Sequence, residues 1–415
     1  MLCRHKTEII SMSCLVCNRD CVEEFLDLGR TALANKFLTR QEIEAGEEKF
    51  PLRVGFCHNC NHVQLTEKVP PEKMFEDYLY ISSASDTLQA HFKELSELLV
   101  KRFGLSSDNL VVDIGCNDAT LLRHFARQGV RTLGVDPAQN LASLSSGVDR
   151  FTGYFTSRTA SEIVREWGRA DVITTTNTFP HIQNLQDFIQ GIKLLLAPGG
   201  VFVVEAHYLV DLLEQAAFDT VYHEHVSYWA LRPLNYLLEA YDLQVVDAER
   251  LPIHHGQLRV FIQRKEESWV RPSVGEILDL EKRVGLDRIE TFKNFAAQAL
   301  ETKRGLTRLL QELKTEGKRI AGYGAPAKAS TLLEFLELGP ETVEFIADKS
   351  PLKQGRFTPG MHIEIVPPEK LLEERPDFVL LLAWNFEKEI LEQQAEYRRL
   401  GGRFIVPVPE ARVVQ

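Results

Sequence analysis

No stretch of about 18 consecutive apolar residues occurs in this chain, so nothing in it reads as a membrane span. The opening residues carry no apolar run of the secretory kind, which predicts a cytoplasmic protein. Dense runs of lysine or arginine are also missing. With a formal net charge of −11, that gives no footprint for nucleic acid. Low-complexity segments are absent, and no glycine-rich turn completes the GxGxxG dinucleotide pattern. Cysteine is scarce, with 7 in the whole sequence. In a reducing compartment these are expected as thiols or metal ligands, not disulfides.

The 415 residues, 44% of them hydrophobic, are too many for one core, which predicts two or three domains. The scarce cysteines are not scattered. Cys14 and Cys17 form one CxxC pair and Cys57 and Cys60 a second. Each CxxC turn aims two sulfurs at one point, and two such turns complete a tetrahedral four-thiolate zinc site. Four thiolates leave no open position on the metal, so the zinc is read as structural. Cys21, His58 and His62 stand nearby as spare ligands. A redox pair, or two unrelated reduced pairs, is the competing reading.

Residues 72–103 read as helical. After them, apolar strands alternate with helices: 110–114, 132–135, 171–177, a helix over 185–196, and a strand beginning at 201. This alternation predicts a parallel sheet with helices on both faces and ligands at the carboxyl ends of the strands. A long polar helical stretch, 275–316, reads as a connector, and a second α/β unit follows it. The expected fold is therefore α/β: a zinc-binding unit over 1–70, a central Rossmann-like domain over 71–274, and a C-terminal Rossmann-like domain with its helical connector over 275–415.

The middle unit holds "DIGCND", with Asp113, Gly115, Asn117 and Asp118, and the following strand ends in Asp136. A carboxylate about 20 positions beyond such a turn can accept hydrogen bonds from a ribose diol. Asn117 and Asp118 would crowd a pyrophosphate but suit the ammonium of S-adenosylmethionine. Asn177, which closes the strand after that, joins this cofactor set. A turn that serves the fold alone is the bland alternative. Further on, "VYHEHVSYW" concentrates Tyr222, His223, Glu224, His225 and Tyr228. In an extended segment His223 and His225 would share one face, as a metal site requires. The other readings are an acid–base site and a polar loop.

The four-cysteine unit, "DIGCND", "YHEHVSYW" and the C-terminal "GYGAPAKASTLLEFL" occur in this order. Together they resemble the three-domain sugar C-methyltransferases that act on nucleotide-linked 4-keto-deoxysugars, a likeness covering Cys14 to about Pro409. The resemblance implies S-adenosylmethionine in the middle domain and a nucleotide sugar, commonly a thymidine diphosphate sugar, between the middle and C-terminal domains. It implies His225 as the base, helped by Tyr222 and Glu224, with His223 less defined. The N-terminal tyrosine of the site would be Tyr78, or else Tyr80. Tyr80, Tyr323, Gly324, Lys328 and Asn385 would meet the sugar nucleotide, the lysine beside its diphosphate. A monomer suffices for such a site. The sequence departs from the pattern at His255 and Gln257, where that family has glycine and serine, and at Ala119, where glycine is common. A nicotinamide-dependent oxidoreductase or epimerase, and a non-catalytic zinc-containing scaffold with a methyltransferase-like core, are the alternatives.

Overall fold

The computed structural model describes residues 13–76, 78–253, 256–266 and 269–415 of the chain. His254 and His255 lie outside these, so the sequence departure at His255 has no structural counterpart here.

The N-terminal unit is built from β1 (Val22–Thr31), α1 (Arg40–Ala45), β2 (Phe50–Cys57) and β3 (Val63–Leu65), with the strands pairing in antiparallel order. Thr39 and Glu42 close a capping box at the start of α1, so two otherwise orphaned amides are satisfied reciprocally. The fourth strand of this sheet is residues 227–228, from far down the chain. The stretch 72–103 is not one helix. It splits into α2 (Glu72–Phe75) and α3 (Asp86–Phe103), the second capped by the Ser85 side chain on the Leu88 amide. The intervening backbone is pinned to the middle domain instead: Asn117 accepts from the Ser82 amide at 2.9 Å and donates to the Tyr80 carbonyl at 3.0 Å. That break places Tyr78 and Tyr80 beside the middle sheet.

The middle domain runs β4 (Leu110–Ile114), α4 (Thr120–Arg127), β5 (Arg131–Asp136), β6 (Asp149–Thr152), α5 (Ser157–Trp167), β7 (Ala170–Thr176), α6 (Leu185–Leu195) and β8 (Leu196–His207). It continues through α7 (Leu209–Glu214), β9 (Ser227–Tyr228), α8 (Leu231–Glu239), β10 (Leu243–Leu251) and β11 (Gln257–Arg264). Its sheet order is β10-β11-β8-β7-β4-β5-β6. Strands β8 to β6 are parallel, and β4 is buried along its whole length, as helices on both faces require. The sheet is mixed rather than parallel throughout, because β11 returns antiparallel to β8 and pairs with β10.

The stretch read as a polar connector is two helices, α9 (Pro272–Val284) and α10 (Ile289–Thr315). Gly285, at φ +84°, ends α9 in a left-handed cap that a β-carbon would strain. Helix α10 also does more than connect. It buries Phe292, Phe295, Ala299, Leu306 and Leu310, and the Phe292 ring stacks on Phe56 at 5.0 Å and lies 5.2 Å from Phe25. It therefore covers the zinc-binding unit.

The C-terminal unit comprises β12 (Ile320–Tyr323), α11 (Ala327–Leu336), β13 (Ile346–Ala347), β14 (Ile365–Val366), α12 (Lys370–Glu374), β15 (Phe378–Leu381), α13 (Glu387–Gln393), α14 (Ala395–Arg399), β16 (Arg403–Val406) and β17 (Arg412–Val414). Its order, β14-β13-β12-β15-β16-β17, is parallel except at β17. Among the described residues no helix is long and apolar enough to cross a membrane.

Candidate active site and zinc centre

Sulfurs of Cys14, Cys17, Cys57 and Cys60 all lie within 4.8 Å of one another. The pairs Cys14–Cys60 and Cys57–Cys60 stand at 3.5 Å and Cys17–Cys57 at 3.6 Å. Four thiolates about 2.3 Å from a tetrahedral zinc would stand about 3.8 Å apart, so the donor set fits that ion. The Val16 amide points at the Cys14 sulfur at 3.4 Å, a donor that favours its thiolate. Of the spare ligands, the Cys21 sulfur is 3.4 Å from that of Cys57, while His58 bonds Glu23 and His62 bonds the Ser227 hydroxyl.

The turn after β4 is packed tightly against the end of β7. Gly115 has φ +78°, and a β-carbon there would sit 2.0 Å from the Thr178 hydroxyl. The Asn117 amide donates to Asp136 at 2.9 Å, and the Ala138 amide and Arg150 also meet that carboxylate, at 2.8 Å and 3.2 Å. Asp113 accepts from the Thr174 hydroxyl at 2.7 Å, and burial pushes its carboxyl up to about 7. Asp118 accepts from the Thr120 hydroxyl at 2.7 Å. Ala119 takes the left-handed conformation, φ +62°, which is why a glycine would sit there without strain. Asn177, also left-handed at φ +57°, takes its side-chain bond from Gln257. Three carboxylates and two amides thus converge at the carboxyl ends of β4, β5 and β7. A cationic amino-acid group with a ribose diol, as S-adenosylmethionine presents, finds counter-charges and acceptors there.

The "YHEH" segment is not extended. It turns sharply, and its two histidines point to different places. His223 bonds the Pro51 carbonyl at 3.2 Å and sets its ring edge against Phe50. It belongs to the zinc-binding unit, and the shared-face geometry considered for a metal does not form. His225 has Nδ1 2.9 Å from the Thr220 carbonyl. A carbonyl only accepts, so Nδ1 carries the proton and Nε2 keeps its lone pair. That lone pair accepts from the Tyr222 hydroxyl at 2.8 Å. Burial lowers the His225 pKa to about 3, with His181 adding to the effect and the Thr220 carbonyl opposing it. The imidazole is therefore neutral across the physiological range. Glu224, buried on another side, accepts from Asn35 at 2.8 Å and from the Tyr78 hydroxyl at 2.9 Å. Burial raises its pKa to about 7, against the pull of those two donors.

Over 404 residues the chain is 38% identical to "C-methyltransferase NovU" of Streptomyces niveus, covering 97% of this chain and 96% of that protein. The chain belongs to the C-methyltransferase family. Three family descriptions match in order along it: a zinc binding domain over 14–75, a methyltransferase domain over 88–248 and a C-methyltransferase C-terminal domain over 252–409. A ubiquinone biosynthesis O-methyltransferase of Cupriavidus pinatubonensis is 29% identical over 157 residues, 31% of this chain and 62% of that protein. A solved S-adenosylmethionine-dependent methyltransferase of Anabaena variabilis aligns with 48% of this chain and 100% of that one, at 15% identity and TM-score 0.32. The family matches give the chain a methyltransferase domain preceded by a zinc-binding domain.

Around His225 of this C-methyltransferase stand groups that sequence reasoning passed over. His181 stacks on His225 at 5.3 Å and on Phe75 at 5.2 Å, and the His207 ring lies 5.2 Å from His225. Thr220 and Asn35 set the tautomer and the carboxylate partner. His181 follows the carboxyl end of β7 and His207 closes β8, the position where ligands gather in such sheets, and that was the signal available. Tyr80 is 41% exposed, its ring 6.4 Å from that of Tyr78. The C-terminal candidates divide. Tyr323 and Gly324 lie at the end of β12, the hydroxyl meeting Gln394 at 3.2 Å, and Asp348 holds the turn by accepting from the Ala325 amide at 2.6 Å. Lys328 is buried over the Trp384 indole at 3.9 Å, while Trp384 donates to Asp219 at 2.6 Å. Burial lowers the lysine to about 8, with Asp219 resisting. The Asn385 side-chain oxygen is buried without a hydrogen-bond partner among the described residues.

Proposed function

We propose that this C-methyltransferase methylates a carbon next to the keto group of a nucleotide-diphosphate-linked 4-keto-deoxysugar, with His225 as the base that forms the enolate. The observation that carries the reading is the wiring of His225: Nδ1 is committed to the Thr220 carbonyl, which leaves the Nε2 lone pair directed at the Tyr222 hydroxyl. Carbon is not nucleophilic until a proton leaves it, and a neighbouring ketone makes that proton removable by a side-chain base. Burial keeps the imidazole in the unprotonated form the step needs. When the substrate takes Nε2, the Tyr222 hydroxyl is released and can donate to the developing enolate oxygen. Tyr78 and Glu224 form a second donor–acceptor pair beside it and orient the sugar. His223 supports the loop from the zinc-binding unit.

When bound, S-adenosylmethionine supplies an electrophilic methyl. Asp113, Gly115, Asn117, Asp118, Asp136 and Asn177 form its cradle, with Asp136 offered to the ribose hydroxyls. Tyr80, Tyr323, Gly324, Lys328 and Asn385 are assigned to the nucleotide sugar, read as a thymidine diphosphate sugar, and the protein is expected to work as a monomer. The contacts that join α11 to the base loop support a substrate shared between the units: Thr331 donates to the Val221 carbonyl at 2.8 Å.

The test is His225→Ala with a panel of nucleotide 4-ketosugars in deuterated water. The variant should bind S-adenosylmethionine as the wild type does, and lose both proton exchange beside the ketone and methyl gain by mass spectrometry. Full turnover in that variant removes His225 from the role of base.

A further inference from the structure

We infer that Gln257 determines acceptor specificity, its side-chain carbonyl taking a hydrogen bond from an O–H or N–H group carried by the sugar beside the reacting carbon. The inference rests on the acceptor class proposed above.

Gln257 opens β11 directly opposite His207 on β8. Directly opposed residues of an antiparallel pair project from the same face, and the His207 ring lies 5.2 Å from that of His225. Gln257 therefore sits on the base's side of the sheet. Its other neighbour belongs to the cofactor turn: the Gln257 amide nitrogen donates to the Asn177 side-chain oxygen at 2.7 Å. The backbone beneath is fixed too. The Tyr208 amide donates to the Gly256 carbonyl at 3.2 Å, and Gly256, at φ +101°, has no room for a β-carbon against Asp211.

With the nitrogen bonded to Asn177, the amide oxygen points away from the cofactor turn. Gln257 is 1% exposed, and that oxygen has no hydrogen-bond partner among the described residues. A buried carbonyl left unpaired is unfavourable, and native structures rarely keep one without a reason. Here the orphan lies between the cofactor cradle and the base, where the reacting part of the acceptor must sit. An amide oxygen only accepts, so the missing partner is a donor. A site built around such a bond discriminates strongly against an analogue lacking the donor, because the site's own polar group then stays unpaired.

The experiment uses the full chain and three nucleotide 4-ketosugars that differ only beside the reacting carbon: hydroxyl, amine, or hydrogen. Wild type should prefer one donor-bearing sugar over the hydrogen analogue by at least about tenfold in kcat/KM, and the preferred sugar names the donor. Gln257→Leu should bring that ratio to within about threefold of one, with the loss mainly in KM for the donor-bearing sugar. Calorimetry of S-adenosylmethionine checks the Asn177 side. An unchanged ratio in Gln257→Leu, with or without weaker cofactor binding, makes Gln257 a support for Asn177 and overturns the inference. Gln257→Glu keeps the shape should the leucine variant not fold. It should shift selectivity toward the amine-bearing sugar over the hydroxyl-bearing one by about tenfold, and no shift overturns the inference. Wild type that binds the cofactor yet ignores all three sugars overturns the acceptor reading, and this inference with it.

Discussion

Tyr222→Phe separates two effects of one hydroxyl that act in opposite directions. In the resting site that hydroxyl occupies the lone pair of His225 Nε2 at 2.8 Å. Opening such a bond costs about 0.5–1.5 kcal/mol, which holds back base availability by up to about tenfold. Removing the hydroxyl frees the base by that factor. Once the substrate is seated, the same hydroxyl is the donor nearest the base for the enolate oxygen, and loss of one such donor costs about 10²–10³ in kcat. Subtracting the first effect from the second leaves an expected net fall of about tenfold to about 500-fold in kcat. The assay follows deuterium exchange beside the ketone and methyl gain separately, by mass spectrometry, and both should fall together because both follow enolate formation. A thermal melt checks that the half-buried ring still packs. A phenylalanine variant as fast as wild type in both readouts would refute the reasoning, because Tyr222 would then only stopper the resting base.

Two further outcomes follow from the same geometry. Removing zinc with a chelator, or changing Cys60→Ser, should abolish methyl transfer while leaving the S-adenosylmethionine Kd within about threefold, since the metal orders the sheet that carries the base loop and the cofactor cradle lies on β4, β5 and β7; an active metal-free enzyme sinks this. Glu224, raised to about 7 by burial, binds its proton more tightly folded than unfolded, so its penalty is absent near pH 4 and grows to about 3 kcal/mol as pH rises through 7; Glu224→Gln should therefore raise Tm at pH 8 and change it little at pH 4.5, and equal shifts at both pH values would count against a buried carboxylate.

Much of the site could be read from residue spacing because its chemistry is local. Two CxxC turns each fix their own sulfurs, and the "DIGCND" turn sits between a strand and a helix whose patterns are plain. What could not be read depends on distant partners. Nothing near residue 64 announces that it will pair with Ser227, so the zinc-binding sheet looks complete without β9. The extended reading of 223–225 failed for the same reason: Pro51, Asn35 and Thr220 pull successive side chains in three directions, and a period-two pattern cannot encode that. The antiparallel edge β10–β11 was missed because alternation at a sheet edge is weaker than the buried apolar runs at its centre. Helix α10 looked like a connector because its apolar stripe is narrow, yet Phe292 alone places a ring against both Phe25 and Phe56.

These long-range contacts explain why a methyltransferase core carries a zinc-binding unit with no open metal position. The base loop has little regular structure of its own. Its first end is tied to the C-terminal unit, where Thr331 holds the Val221 carbonyl and Trp384 holds Asp219. Its other end is a strand of the zinc-binding sheet, where the Leu65 amide donates to the Val226 carbonyl at 3.0 Å and His62 meets Ser227 at 3.1 Å. Between these anchors, Asn35 of the zinc-binding unit and Tyr78 of the linker grip Glu224. Placing a base within a few tenths of an ångström of its proton demands supports that do not themselves move. A short loop cannot supply them, and a unit that small gains rigidity from a metal staple. On this argument the zinc acts at a distance, by keeping rigid the wall against which His225 is set.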